Sequence, residues 1–501
     1  MNYLLTLPLV IPFTTAILAL LSGKNKMIRR GIVLTGSLGL LATAGLIFQS
    51  VLKDGILVAQ MGRWAAPFGI TMVADHISAI MVLLTAIIGL CCVLYSFADI
   101  DERRENFGYY SLLHLLLGAV CGAFLAGDLF NLYVWYELVL ISSFSLLILG
   151  GEKAQIDGAI KYFALNLIAT MMLLCGIVLL YGVTGTLNMA DLHLKVKAVQ
   201  NPGLLTGISV LFIMAFGIKS AVFPLFFWLP SSYHTPPVAV SAIFSGLLTK
   251  VGIYSFIRMF TLVFTEDVGY THQLLLVMAG FTMVTGVLGA AAHNEIRRIL
   301  LFHIISQIGY LVMGIALFSP MAMTGTIYFL AHIIVVKTAL ILIGGVVNRR
   351  CGTMELASVG GFYQSMPFMA FLFFVCAFSL AGFPPLSGFW AKFALVRAGL
   401  ETGSYGIVAT ALGVGLMTAY SMTKIWGEAF WKPSPVAASV APCIQETRQT
   451  NWLLFSPIVA LTVLTVVMGF WAEPFMELSI KAANELFHPE NYVRAVLEAV
   501  L

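Results

Sequence analysis

The chain has 501 residues, of which 60% are hydrophobic and only 10% charged, with a formal net charge of +4 and a mean hydropathy of +0.97. Soluble domains carry about a quarter charged residues, so the composition excludes a soluble globular protein, and a small, scattered net charge leaves no footprint for nucleic acid. What remains is an all-α integral membrane protein, because the apolar runs are continuous over ~20 residues instead of alternating as barrel strands do.

Apolar windows of that length recur about fourteen times. They fall near 3–22, 31–52, 72–98, 108–126, 129–150, 159–184, 204–228, 237–264, 270–290, 298–318, 323–347, 366–396, 404–430 and 452–472. The first window has no basic stretch ahead of it and no small-residue cleavage site, so it reads as a retained span and not a signal peptide. No soluble domain is inserted, and residues 1–501 read as one polytopic membrane domain. Its tail over 473–501 is expected to form a short surface helix and a partner-binding end. The basic loops 23–30 (Lys24, Lys26, Arg29, Arg30), 99–107 (Arg103, Arg104), 291–298 (Arg297, Arg298) and 348–365 (Arg349, Arg350) all fall on one side of a fourteen-span chain. An excess of lysine and arginine marks the cytoplasmic side, which puts both termini outside. The seven cysteines form no Cys-x-x-Cys pair. No disulfide framework, iron–sulfur site, haem or structural zinc is read, so no cofactor and no metal is expected.

Glu137 lies about a third of the way into the span at 129–150, where a lone carboxylate is costly unless a cation pairs with it. The expected partner is Lys219. From Gly217 to Val251 two apolar runs each carry one lysine well inside, Lys219 and Lys250, and between them stand Pro224, Pro230, Pro236 and Pro237. Prolines remove backbone donors and forbid a continuous helix. A charge at mid-membrane costs at least ~2.5–3.5 kcal/mol, and broken helices survive there only inside protein or along a wet cavity. Ser241, Ser245 and Thr249 form one stripe at i, i+4 and i+8 beside Lys250. His234 sits in the connection and is placed at the cytoplasmic mouth. Lys161 and Arg258 lie near span ends and read as snorkelling; Asp75, Asp99 and Asp128 are also near ends.

Further on, His303, Ser306, Gln307 and Tyr310 share a face, a pattern that suits a wet path or interhelical glue. Tyr328 and His332 share another, and Lys337, five residues after His332, is turned away from it by roughly 140°. Gly382-Phe383-Pro384-Pro385 breaks a second span ahead of Lys392. Each broken span is fourth in a block of five, 108–264 and 270–430, and the blocks start from opposite sides. Two inverted five-helix repeats, each with a broken helix, are a transporter pattern in which the breaks point to the ion path. A lysine taken out of water gives up and takes back protons more readily, and a lysine-lined path repels a resident bare cation.

At these residues the resemblance becomes specific. The stretch KSAVFPLFFWLPSSYHTPPVAVSAIFSGLLTKVGIYSFIR, together with GFPPLSGFWAKF, resembles the signature of the antiporter-like subunits of respiratory complex I and their relatives. The resemblance covers nearly the whole chain. The length, the lack of a long lateral helix after the last span and the ending HPENYVRAVLEAV look most like the Mrp-type multisubunit Na⁺/H⁺ antiporter branch. It implies proton translocation along Glu137, Lys219, Lys250, His332, Lys337 and Lys392, and the helix faces read above add His234, Ser245, Thr249, His303 and Gln307 as accessory positions. One related complex I subunit type carries a glutamate where Lys392 stands. The resemblance also implies a non-enzymatic subunit of a hetero-oligomeric antiporter in the bacterial plasma membrane, working with other membrane subunits on H⁺ and Na⁺. Two alternatives stay open: a membrane subunit of an NADH–quinone oxidoreductase or membrane-bound hydrogenase, and a scaffold whose buried charges are structural.

Overall fold

The computed structural model describes residues 3–64, 67–434 and 448–498. Among these, twelve helices are long and apolar enough to cross a membrane, and two shorter apolar helices, Tyr109–Leu125 and Pro367–Ala381, occupy the places of the two remaining expected spans. In chain order the main helices of the bundle are α1 (Leu7–Leu21, entered through a 3₁₀ turn at Tyr3–Thr6), α2 (Lys26–Asp54), α3 (His76–Asp99), α4 (Tyr109–Leu125), α5 (Leu129–Ile148), α6 (Lys153–Thr184) and α7 (Pro202–Ser220). Then follow α8 (Val238–Leu262), α9 (Val268–Ala292), α10 (Ile296–Ala316), α11 (Pro320–Cys351), α12 (Pro367–Ala381), α13 (Ser387–Glu401), α14 (Tyr405–Ile425) and α15 (Arg448–Phe470). Two amphipathic helices close the described chain, α16 (Ala472–Phe487) and α17 (Glu490–Leu497). Residues 435–447, between the last two expected spans, and 499–501, in the expected tail, lie outside the described residues.

The centre is formed by α8, α10 and α11. α8 is wholly buried and the other two nearly so, whereas α1, α2, α6 and α9 turn most of their apolar surface outward. Helices apolar all round belong in the middle of a bundle, and those with one packed stripe belong at its lipid-facing rim. The central three are also the ones that carry Lys250, His303, His332 and Lys337.

Two breaks interrupt this helical order. α7 stops at Ser220, and Ala221 takes a left-handed conformation with φ 58°. The chain then makes a proline-rich turn and a short helix, Trp228–Ser232, before α8 begins. α12 stops at Ala381, Gly382 is left-handed at φ 96°, and α13 resumes at Ser387. Glycine is the residue with least cost there. The first half-helix is therefore shorter than the expected 204–228, because the chain turns before Pro224.

A small antiparallel hairpin, β1 (Leu57–Gln60) and β2 (Thr71–Ala74), pairs Leu57 with Ala74 and Gln60 with Thr71. Four-residue strands carry little periodicity, and nothing in the sequence announced them. The hairpin lies at the end of the bundle that also holds α16 and α17, joined by Gln60 Nε2 donating to the Val496 carbonyl at 3.2 Å. The opposite end gathers the basic loops. There Arg29 and Arg30 both meet Glu105, Arg104 reaches Glu152 at 2.6 Å, and Arg349 donates to the Ala98 carbonyl at 2.6 Å.

Candidate functional site

Glu137 stands on α5, whose first turn is capped by Asp128 accepting from the Asn131 amide at 2.7 Å. It is half-buried and shares a face with Phe130, Val134 and Ile141, all exposed at the rim. Its neighbour Tyr136 points inward, with its hydroxyl 2.8 Å from Ser255 Oγ and donating to the Val251 carbonyl at 3.1 Å. Lys219, in the last turn of α7 and 8% exposed, places its ammonium 5.4 Å from the centre of the Tyr136 ring. The expected Glu137–Lys219 ion pair is not formed. Adjacent residues on a helix point about 100° apart, so it is the tyrosine that faces the lysine, and the carboxylate acts on it only through space.

Lys250 follows a π-helical turn over Phe244–Leu248. Such turns free backbone groups and recur at functional positions. Here the ammonium donates to the freed Ser245 carbonyl. Ser245 Oγ and Thr249 Oγ1 are fully buried with no protein partner, while Ser241 is occupied, donating to the Tyr233 carbonyl at 2.8 Å. The stripe of three hydroxyls thus has two free members. Gly246 lets α8 approach α11, since a Cβ there would stand 2.5 Å from Thr338 Oγ1.

Lys337 crosses to α10 and donates to the Leu300 carbonyl at 3.1 Å. The charges of Lys250 and Lys392 both act on it, and those of Lys337 and Lys392 both act on His303. His303, Ser306 and Gln307 are fully buried with no protein partner on any side-chain polar atom. Buried polar groups are ordinarily satisfied by protein or by ordered water, so this apolar centre contains a line of groups suited to water.

His332 turns the other way from Lys337, as their spacing predicts. Its Nδ1 lies 2.8 Å from Ser387 Oγ, which is 3.1 Å from Ser379 Oγ, and its Nε2 has no partner. These contacts stitch α11 across the second break. Gly388 permits them: a Cβ there would meet the Ser379 carbonyl at 1.9 Å and the His332 ring at 3.0 Å. Lys392 donates to the carbonyls of Leu380 and Ala381 at 2.9 and 3.1 Å, where the dipole of α12 is negative. Its ammonium lies 5.0 Å from the Tyr310 ring centre and borders a cavity of about 370 Å³ lined also by Phe383, Phe389 and Phe393.

His234 is apart from this line. Its Nδ1 is 2.8 Å from the Pro230 carbonyl, and its own carbonyl accepts from Arg297 at 2.6 Å. Burial, with Arg298 and Arg297 nearby, holds the imidazole below its usual range. It belongs to the basic end of the molecule.

Arg258 overturns the snorkelling expectation. It is 3% exposed and donates to Asp75, which is 2% exposed, and to Ser78 Oγ at 2.8 Å. Burial opposes the charge on Asp75, but the guanidinium and the Ser78 hydrogen bonds override it and hold the carboxyl below its ordinary range. The spacing of Lys250, Tyr254 and Arg258 at i, i+4 and i+8 was the available signal. Lys161 by contrast is exposed and pairs with Asp157 at 2.7 Å. Among the described residues no three His, Cys, Asp or Glu side chains are grouped as a metal site.

Residues 126–418 match the family described as NADH:quinone oxidoreductase/Mrp antiporter, TM. The chain is 44% identical to the D-type subunit of the Na(+)/H(+) antiporter of Alkalihalophilus pseudofirmus, over 99% of this chain and 100% of that one. It is 40% identical to the protein of the same name in Bacillus subtilis, with the same coverage. Among solved structures it superimposes on a chain of the Mrp complex from Dietzia sp. DQ12-45-1b with a TM-score of 0.89 and 33% identity, over 99% of this chain and 100% of the other. A chain of respiratory complex I from Thermus thermophilus shares the fold, with a TM-score of 0.81 at 23% identity over 96% and 99%.

Proposed function

Because the chain belongs to the NADH:quinone oxidoreductase/Mrp antiporter family of membrane proteins, we propose that it is the proton-translocating subunit of a multisubunit Na⁺/H⁺ antiporter complex. Protons move along Glu137, Lys219, Lys250, Lys337, His332 and Lys392, with Ser245, Thr249, His303 and Gln307 lining the way and His234 at the basic mouth. The observation that carries this reading is the line from buried Lys250 and Lys337 to half-buried Lys392. Each ammonium rests on a backbone carbonyl, and among the described residues no carboxylate pairs with it. Unpartnered hydroxyl, amide and imidazole groups lie alongside. A structural ion pair would need no such lining.

Chemistry along this line is acid–base exchange between amines and intervening water. Lysine has a compact ammonium whose proton affinity responds strongly to burial, and a second positive charge nearby makes release easier. A proton arriving at Lys250 therefore favours release from Lys337, and Lys337 in turn acts on Lys392. Glu137 works at the start as a through-space control on Lys219. The two breaks, each with a left-handed residue at the end of a half-helix, support reading 108–264 and 270–430 as inverted repeats. Both ends of the line reach the bundle's rim: Glu137 shares an exposed apolar face, and Lys392 borders an open cavity. A half-exposed charge at membrane depth is costly alone, which supports cover by other membrane subunits. The basic loops at one end support a bacterial plasma-membrane orientation with both termini outside.

Antiport in vesicles carrying the assembled complex tests this. Glu137→Ala and Lys219→Ala should each lower Na⁺-driven proton movement at least roughly tenfold while the complex still assembles. Full activity in both variants sinks the path.

A further inference from the structure

Arg258 closes the outward end of the α8 stripe. From Lys250 the stripe passes Tyr254, whose hydroxyl donates to the Phe124 carbonyl at 2.7 Å, lies 2.9 Å from Ser78 Oγ and accepts from Arg258 Nε at 2.9 Å. Asp75 and Ser78 take the remaining guanidinium contacts. The knot lies one helical turn beyond Tyr254, toward the end that holds the hairpin and the C-terminal helices. It is nearly closed to solvent, and the chain's own C-terminal segment folds over it. The Tyr492 ring centre lies 5.5 Å from the guanidinium carbon, Val496 is tied to Gln60, and the Glu485 carboxylate is 2.8 Å from His76 Nδ1 and accepts the His76 amide at 3.1 Å. Three anchors within residues 485–496 thus converge on one mouth.

A guanidinium keeps its charge at any physiological pH, and fixed arginines in narrow passages exclude protons and other cations by like-charge repulsion. A buried ion pair, moreover, is weak evidence for a purely stabilising role. We propose that the Asp75–Arg258 pair, sealed by α17 through Tyr492, is the outer barrier of this chain. Its guanidinium, whose Nε faces Tyr254 on the Lys250 side while Nη2 is paired with Asp75, keeps protons at Lys250 from escaping straight to the outer face and leaves Lys337 as their next stop. Asp75 and Tyr254 are positioning residues that hold the guanidinium across the passage. The inference rests on the proton-path reading.

The test is passive proton leak in vesicles of the whole complex, under an imposed pH gradient and without Na⁺. Arg258→Gln and Tyr492→Ala should each raise the leak roughly tenfold, Arg258→Lys should keep the vesicles tight, and Lys250→Ala added to Arg258→Gln should abolish the leak. Tight vesicles with assembled Arg258→Gln overturn the barrier, as does a leak that persists without Lys250. If Arg258→Gln fails to assemble, Tyr492→Ala decides: it lies only on the covering helix, and a tight, assembled Tyr492→Ala overturns the proposal. The path reading fails separately, on intact antiport in Glu137→Ala and Lys219→Ala, so the two failures are distinguishable.

Discussion

Asp75 and Asp128 show how one side-chain type takes opposite electrostatic fates. Both cap helices, through the amides of Ser78 and Asn131 respectively, and both are buried. Asp75 has Arg258. Asp128 has backbone donors alone, the amides of Asn131 and Thr71, and burial outweighs them, moving its pKa from 3.8 up to about 6. A carboxyl raised in the folded state binds its proton more tightly there than in the unfolded chain, so its stabilising share is present at low pH and lost as pH rises through about 6. A shift of this size is on the order of 3 kcal/mol. Asp128→Asn removes the titrating group and keeps one oxygen for the Asn131 cap, so it should flatten the slope of melting temperature between about pH 4 and 6. Thermal unfolding of the purified complex across that range checks it, and an unchanged slope in the variant removes the assignment. Arg258 and Asp75 show what a linear reading loses. Both stand at span ends, where an arginine ordinarily snorkels, and residues 485–496 return across the molecule to help cover them.

Among the helices, the sequence was most legible where one physical rule dominates. Apolar length set the spans, and prolines with Gly382 set the two breaks. The π-helical turn before Lys250 was not legible, because nothing in FSGLL differs locally from α-helix; the extra residue is accommodated where Gly246 packs on Thr338. That Lys219 meets Tyr136 and not Glu137 is illegible for a similar reason, since which of the two faces α7 depends on helix rotation that the neighbours decide. Gly388 is where the second break depends most on one missing methyl group. Gly388→Ala puts a Cβ into the Ser379 carbonyl and the His332 ring, and overpacking of this kind costs about 1–3 kcal/mol. The variant should melt earlier and lose most antiport by displacing Ser387 from His332. Gly406→Ala, with no atom near the added methyl, is the control. Equal behaviour of the two variants would show that the half-helices do not need to approach so closely.

For the whole molecule, the two ends differ in a way that bears on the proposed orientation. One end holds Arg29, Arg30, Arg104, Arg297 and Arg349, each meeting a carboxylate or a backbone carbonyl. The other holds the hairpin, the Asp75–Arg258 knot, the uncompensated Asp128 and the two amphipathic C-terminal helices. Positive charge in short loops resists translocation, which supports the proposed orientation with the arginine-rich end inside. The fold makes this assignment more than a count, because the loops are joined in space: Gly361 donates to the Lys432 carbonyl at 2.6 Å, and Leu356 to that of Asn294 at 2.8 Å. Reversing the chain would carry every one of these loops across at once. The prediction is therefore all-or-none. In a background free of native cysteines, Lys26→Cys and Gly352→Cys should react with a membrane-impermeant maleimide only in inverted vesicles, and Thr402→Cys and His488→Cys only in intact cells. Labelling of all four from both sides, or the reverse pattern, would overturn the orientation and with it the direction in which the Arg258 barrier faces.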